Sequence, residues 1–599
     1  MLLQRLAEHA RTQPHTRPFH RALGFRWELR LNHDGTPAAT SLESVTTTDA
    51  KGKARLAEHI VPATVRTVGV APNLAADDVQ YVLGWADPTT RTDRVARCHA
   101  AFVDLTRRWA QTHPDDPAAA ALIAFYDRGG PDLIERADDI AAKDRVLVTV
   151  GGRFAHDATT AASFWSHEVT NRKGSANSGL CLVCGTTGSL LDTIPSKVPA
   201  KLVPGASNDT ALISVNERAF GYDLTEQLAC TPICVGCGEA VSNGLVSVLS
   251  SPHTLNYSGE NTRLAWWTVD AAEFDPVNVV INGTPAEIDQ LLNAFRKADK
   301  NRAKTIGDGI DPARFCALSI GGNVARIMVR DWIDMPLDDL RTNIGRWFAD
   351  HEITPRWPGE PTCHTLSRLV TCTGRWLRQE RRYAFLGAKG AHRPDGIQND
   401  LLRSALRGTP VPPSVLTHLI NRIRTDGHLD NPRAALLRLS LTRACTASTE
   451  KPLPSLNTTS RDPAYVSGRI FATLENIQIT ALGRDLNTTY GDRYFASAAD
   501  HPQMVLINGR KEAKAWLGKL RRNDKTRGAA VKLSDTLDEL FDLIEHKPGI
   551  PRRTTVSQQG AFMLGYHHQR ASDQRSRAHA QTKAKAKNNV ANDSEDPTP

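Results

Sequence analysis

Two short stretches hold the residue types best suited to chemistry: "CLVCG", Cys181 to Gly185, and "CVGCG", Cys234 to Gly238. In a Cys-x-x-Cys-Gly turn two thiolates point at one cation, and the trailing glycine accepts the positive φ of a tight turn. Two such turns supply four sulfurs, the donor set of a closed tetrahedral zinc site. A closed site has no position for a reacting water, so its role is structural. A redox pair needs a single such motif at a helix start. The doubled motif therefore reads as structural zinc on Cys181, Cys184, Cys234 and Cys237, with a cluster of buried free thiols as the plain alternative. Cys230 is a spare that replaces a ligand if the local turn differs.

The other candidates for chemistry fail on spacing. "PIC", Pro232 to Cys234, is half of a zinc-deaminase signature, but the upstream His-x-Glu is absent because Glu168 follows His167 directly. "IGGNVARI" has glycines without the Lys-Ser/Thr of a phosphate loop. His33-Asp34 and His156-Asp157 are isolated pairs. No catalytic constellation results, and the expectation is a protein that is not an enzyme.

Stepping outward to what must position the knuckles, 599 residues exceed the size of one hydrophobic core and imply several domains. The first half mixes strands and short helices. "RVLVTVGG" (145–152) and "RLAWWTVD" (263–270) read as buried strands. "CALSIGGNVARIMVRDWI" (316–333) reads as strand, Gly-Gly turn, strand. From about Pro336 the pattern turns helical, with basic outer faces expected on "SVLTHLINRIR" and "NPRAALLRLSLTR". A Ser/Thr/Pro-rich stretch, 446–463, reads as a linker to a last helical module. The end of the chain lacks apolar residues and is expected to be disordered. The fold class is α+β: a mixed N-terminal region with a zinc-ribbon-like insertion, then a helical region and a C-terminal helical bundle. Domain boundaries are expected at 1–180, 181–335, 336–445, a linker at 446–463, 464–569, and a tail at 570–599. No apolar run reaches bilayer length and the start has no signal-type segment, so a cytoplasmic location is expected.

Net charge is +9 and the pI about 9.0. From Arg570 onward there are six Lys/Arg against four Asp/Glu. The excess therefore lies mostly in the body of the chain, which suits a polyanionic partner, although a mild basic excess also occurs without one.

Several stretches together resemble the large subunit of the type I-C CRISPR surveillance complex (Cascade), the Csd family of the Dvulg subtype. They are "MLLQRLAEHA", "IVPATVRTVGVAPNLAADDVQYVLGWAD", "VPGASNDTALISVNERAFGYD", "LSIGGNVARIMVRDW", "GRIFATLENIQ", "LNTTYGDRYFASAADHP" and "QQGAFMLGYHHQR", in the family's order. Two departures stand out. The family usually reads Cys-Leu-Val-Thr-Gly where this chain has "CLVCG", and Asp78 stands where many relatives carry Asn. If that position reads bases, a carboxylate accepts from an amino group and cannot donate.

The resemblance implies a non-catalytic subunit of RNA-guided antiviral surveillance. It would recognise a protospacer-adjacent motif in double-stranded DNA, aid strand opening and recruit the helicase-nuclease, while guide RNA reads the target. Its partners would be the guide RNA complex, other Cascade subunits, and a C-terminal fragment of itself as small subunit, begun at or near Val466; no membrane is implied. Lys51, Lys53, Arg55 and Arg66 are then candidates for phosphate contact, and Asp78, Gln80 and Asn208 for base or groove contact. Asn323, Arg326 and Arg330 could hold strand or guide phosphates, and Arg469, Arg484, Arg493 and Arg570 the displaced strand. For each charged residue a solvated face is the plain alternative. Two rival functions remain, a zinc-ribbon metal-dependent nuclease and a zinc-ribbon protein-binding adaptor.

Overall fold

A computed structural model describes the chain apart from residues 1, 14–18, 49–53, 65–68, 258–259, 270–274, 303–312, 446–449, 484–486, 545–548 and 594–599; for 173–177, 276, 298–302 and 583–593 it describes the backbone alone. The architecture is α+β, and its contacts divide it into two compact units. The first comprises 1–256, 261–269 and 316–334; the second comprises 257–260, 270–315 and 335–599. The first unit runs across the boundary expected at 180 and includes the knuckles. Among the described residues no helix is long and apolar enough to cross a membrane.

In the first unit one sheet is built on β1 (Trp27–Leu31), β2 (Ala76–Asp78) and β3 (Arg145–Val150). β3 runs parallel to β1, with Trp27 opposite Val146 and Leu31 opposite Val150, and antiparallel to β2. It reads as a nearly unbroken apolar run because both its faces are covered. The cover comes from α2 (Thr92–Thr112), α3 (Pro117–Asp127) and α4 (Ala161–Lys173), whose Phe102, Trp109, Phe125 and Trp165 are fully buried. Asp116 caps α3 by accepting from the Ala118 and Ala119 N–H groups, with Pro117 at the first helical position.

The second sheet of this unit follows the knuckle hairpin of β4 (Gly174–Leu180) and β5 (Thr187–Leu191). Its strands are β6 (Ala206–Ala211), β7 (Thr254–Asn256), β8 (Arg263–Val269) and the extended segment β9 (Arg314–Pro336), in the order β6-β9-β8-β7. β9 doubles back on itself. Leu337 N–H donates to the Ala313 carbonyl at 3.0 Å, and Arg330 Nε lies 2.7 Å from where a Gly321 Cβ would stand. Straight β-chain of that length would hold those ends roughly 75 Å apart. The fold-back is centred at Val324, which takes φ 55°, and not at the glycine pair as expected. Gly321 and Gly322 serve close approach: Cβ atoms there would meet the Asn261 carbonyl oxygen at 2.6 Å and the Ala206 nitrogen at 2.5 Å.

The second unit is mainly helical. Its helices include α6 (Leu337–His351), α7 (Pro413–Asp426), α8 (Asn431–Ala444), α9 (Pro463–Leu482), α10 (Tyr490–Asp500), α11 (Pro502–Arg521), α12 (Asp524–Asp542) and α13 (Val556–Asp593). The basic outer face expected on α8 is absent, since residues 431–442 are all buried. Its arginines turn inward. Arg433 is bonded to Asp426 (2.6 Å) and to the Cys372, Gly374 and His428 carbonyls; Arg438 takes the Ala349, Glu352 and Pro452 carbonyls. The fork of guanidinium donors is satisfied by carbonyl and carboxylate oxygens, which offsets part of the cost of burying the charge.

The stretch expected as a linker is also docked where it is described. Thr354 N–H donates to the Pro454 carbonyl, and Asn457 accepts from Arg469 and donates to Tyr465. The last helices therefore belong to the same compact unit as α6–α8. α9 begins at Pro463 with Asp462 as cap, and Tyr465 Oη bonds His568 Nδ1 at 2.9 Å. A chain begun at Val466 would lose all three features, so that start does not keep the helix whole. The end of the chain, expected to lack structure, is helical through Asp593, because its Ala, Lys, Arg and Gln residues favour helix without needing a buried face.

α9 and α13 meet backbone to backbone at glycines. A Cβ on Gly468 would stand 1.9 Å from the Phe562 carbonyl oxygen, and one on Gly565 2.1 Å from that of Tyr465. Gly468→Ala is expected to destabilise the protein by about 2–3 kcal/mol. Gly518→Ala in α11, which meets nothing within 4 Å, should be neutral or stabilising by up to about 1 kcal/mol. Denaturant titrations of both variants check this, and equal effects would refute the close contact.

Candidate functional site

The first knuckle is the turn of the β4–β5 hairpin. Cys181 N–H donates to the Thr186 carbonyl and Gly185 N–H to the Cys181 carbonyl, both at 2.9 Å, with Gly185 at φ 72°. The second knuckle opens α5 (Val235–Ser250): Cys234 is its N-cap and Cys237 lies in its first turn. The two are tied by Leu182 N–H on the Pro232 carbonyl and Leu191 N–H on that of Ile233, each 2.9 Å. Gly238 admits the Leu191 side chain, since a Cβ there would stand 2.3 Å from Leu191 Cδ1.

The four Sγ atoms lie within 4.8 Å of one another, and Cys184 is 3.9 Å from Cys234. Tetrahedral thiolate coordination at about 2.3 Å requires sulfurs about 3.8 Å apart. The spacing thus suits one shared cation and is far from a disulfide; all four are free thiols. Cys181 Sγ accepts from the Val183 and Cys234 N–H groups at 3.4 and 3.3 Å, the kind of outer bond that steadies a metal thiolate. Arg11 Nη2 lies 3.9 Å from Cys237 Sγ, a positive charge beside the sulfurs. The Thr186 hydroxyl and N–H draw the Cys184 thiol down to about 6, whereas burial pushes Cys234 and Cys237 up. The residues fit a metal ion that completes its shell on four sulfurs. Cys230 is not among them, because its Sγ bonds the Tyr222 carbonyl at 3.3 Å and Thr225 Oγ1 at 3.0 Å.

The candidates for nucleic-acid contact divide into three groups. Lys51, Lys53, Arg66 and Arg484 lie outside the described residues. Asn208, Asn323, Arg326 and Arg330 are all exposed and come together at one sheet edge from positions over a hundred residues apart. β6 pairs with β9 there, with Ala206 opposite Val324 and Ala211 opposite Arg326. Arg326 Nη2 bonds Asn216 Oδ1, a residue that lies within a resembling segment but was not singled out as a site residue. Arg330 folds back over Gly321. Arg55 is exposed on a two-residue strand, and Arg493 is exposed beside the Tyr494 ring.

The remaining candidates are engaged elsewhere. Asp78 Oδ1 faces Arg145 Nε at 3.8 Å, and Asp78 Oδ2 accepts from Gln80 Nε2 at 3.4 Å, with Gln80 buried. The two side chains are bonded to each other. Arg469 is buried, bonded to Gln569 and to the Asn457 carbonyl, and Arg570 is three-quarters buried against Tyr566 and Glu475. Both guanidiniums are thus engaged by neighbouring groups of the helical unit.

Cys181→Ser and Cys237→Ser should each remove the bound metal and lower Tm by several degrees, because metal held only by the folded chain stabilises it by mass action. Cys230→Ser should leave metal content unchanged. Elemental analysis with a thermal melt checks this; loss of metal in the Cys230 variant would refute the assignment.

A family model described as CRISPR-associated protein (Cas_Csd1) matches residues 2–573. No curated protein matches the chain.

Proposed function

The chain belongs to the Cas_Csd1 family of CRISPR-associated proteins, and from that membership we propose that it is the non-catalytic large subunit of a type I-C Cascade. In this reading the subunit inspects a short motif beside the target, aids strand opening and presents a surface to the helicase-nuclease, while the guide RNA reads sequence by pairing. The observation that carries it is the family match over nearly the whole chain. The exposed sheet edge of Asn208, Asn323, Arg326 and Arg330 supports it, combining two guanidiniums for phosphates with two amides able to read groove edges.

The metal is proposed to be zinc, as four thiolates at tetrahedral spacing suit a soft, redox-inert dication. Zinc there would hold the knuckles together and take no part in a reaction. Its ligands are also the points where β4–β5 and α5 meet.

The test is binding of the assembled complex to duplexes with a randomised flank. Enrichment of one short flanking motif is expected, and uniform recovery would refute motif recognition. Divalent-metal-dependent cleavage of DNA by the isolated chain would favour the nuclease rival. Arg326→Ala with Arg330→Ala should weaken duplex binding and reduce its salt slope by about two, one for each lost phosphate contact. An unchanged slope in a salt titration would show that both arginines face only water.

A further inference from the structure

Residues 215–227 form a closed loop whose tip exposes three large apolar side chains within five residues. Phe220 is 77% exposed, Tyr222 83% and Leu224 69%. The exposure is not that of slack chain. Gln227 N–H donates to the Val215 carbonyl at 2.7 Å and closes the base. Inside, Thr225 Oγ1 and Cys230 Sγ both reach the Tyr222 carbonyl, at 2.7 and 3.3 Å, and Arg218 pairs with Glu226 at 3.2 Å. Gly221 leaves no room for a side chain, since a Cβ would stand 1.7 Å from the Thr225 carbonyl oxygen. Asp223, Leu224 and Gln227 all take φ between 54° and 57°, a conformation that costs each of them roughly 1 kcal/mol or more. A loop that bonds itself into shape, accepts backbone strain and leaves its aromatics in water is pre-organised to be covered.

Charge decides between covers. The loop carries Glu217, Asp223 and Glu226 against the single Arg218, in a chain whose net charge is +9. Three carboxylates around the aromatics repel phosphate, whereas Arg326, bonded to Asn216 at the foot of the loop, marks where a polyanion would lie instead. Exposed Phe, Tyr and Leu with an acidic rim match a protein surface having an apolar pocket edged by Lys and Arg.

We propose that the 215–227 loop is a docking peg that inserts Phe220, Tyr222 and Leu224 into a basic-rimmed apolar pocket on a protein partner. The proposal rests on the reading of this chain as one subunit of a larger complex. Glu217 and Asp223 steer the approach, and the apolar tip holds the contact.

The experiment places p-benzoylphenylalanine at Tyr222 in the complex assembled from the native operon on target DNA. The complex is irradiated with and without the purified helicase-nuclease, and cross-linked peptides are identified by mass. The expected product joins the loop to a peptide of another subunit or of the helicase-nuclease that contains Lys or Arg. A cross-link to DNA, to a second copy of this chain, or to nothing would overturn the proposal. Phe220→Ala with Tyr222→Ala should weaken affinity for the cross-linked protein by at least about tenfold. Glu217→Gln with Asp223→Asn should flatten the salt dependence of that affinity, and Phe220→Ala with Tyr222→Ala should leave DNA affinity of the complex unchanged. Lost DNA affinity with intact protein affinity would sink the peg and leave the subunit reading standing. A wild-type chain that joins no complex would end both.

Discussion

The first unit depends on four sulfurs meeting at one point. Their convergence fixes the start of α5 against the β4–β5 hairpin, and α5 then organises what lies around it. Its Gly244 lets α1 (Leu2–Thr12) approach so closely that a Cβ would stand 2.0 Å from the Leu6 carbonyl oxygen. Its Glu239, almost wholly buried, accepts from Phe19 N–H, Ser196 Oγ and Asn243, and burial holds its carboxyl above the ordinary range. A helix carrying a buried acid and a close glycine contact tolerates little rotation about its axis. A metal held by Cys234 and Cys237 would clamp its first turn as well.

The second unit solves a different problem with arginine. Arg433, Arg438 and Arg443 are buried on one helix, and each reaches carbonyl or carboxylate oxygens of segments distant in the chain. Removing one would strand several backbone acceptors together, which is costly, so these residues fasten loops that have little apolar surface of their own. The same fact corrects the charge argument. A net +9 counts guanidiniums that never meet solvent, and the positive charge offered to a polyanion is smaller and more local than the sequence total implies.

What could be read from sequence was whatever is decided locally. The Cys181–Gly185 turn is specified within five residues, whereas Gly238 of the second motif lies within α5 without a positive φ; the strands of Arg145–Val150 and Arg263–Val269 are apolar runs bounded by turn residues. The fold-back near 323 was legible for the wrong reason, because Gly321 and Gly322 mark close packing while Val324 takes the left-handed conformation. The inward arginines of α8 were not legible, since basic residues at helical spacing look alike whether they meet water or buried carbonyls. The docked stretch 450–462 failed likewise: Ser/Thr/Pro composition says nothing about whether its carbonyls are wanted elsewhere. Asp78 and Gln80 were singled out by resemblance, but Asp78 also faces Arg145, far along the chain, a pairing that no local pattern shows.

The sheet edge beside the knuckles combines two opposed chemistries at short range. Arg326 and Arg330 on the returning arm of β9 offer positive charge and planar donors. The loop that begins at Asn216, the partner of Arg326, offers apolar bulk with carboxylates. A polyanion drawn to the first would be repelled by the second. Charge separation of this kind can favour one position for a charged partner without shape complementarity. The tip of β9 is pinned along β6, so Arg326 stands on framework rather than loop.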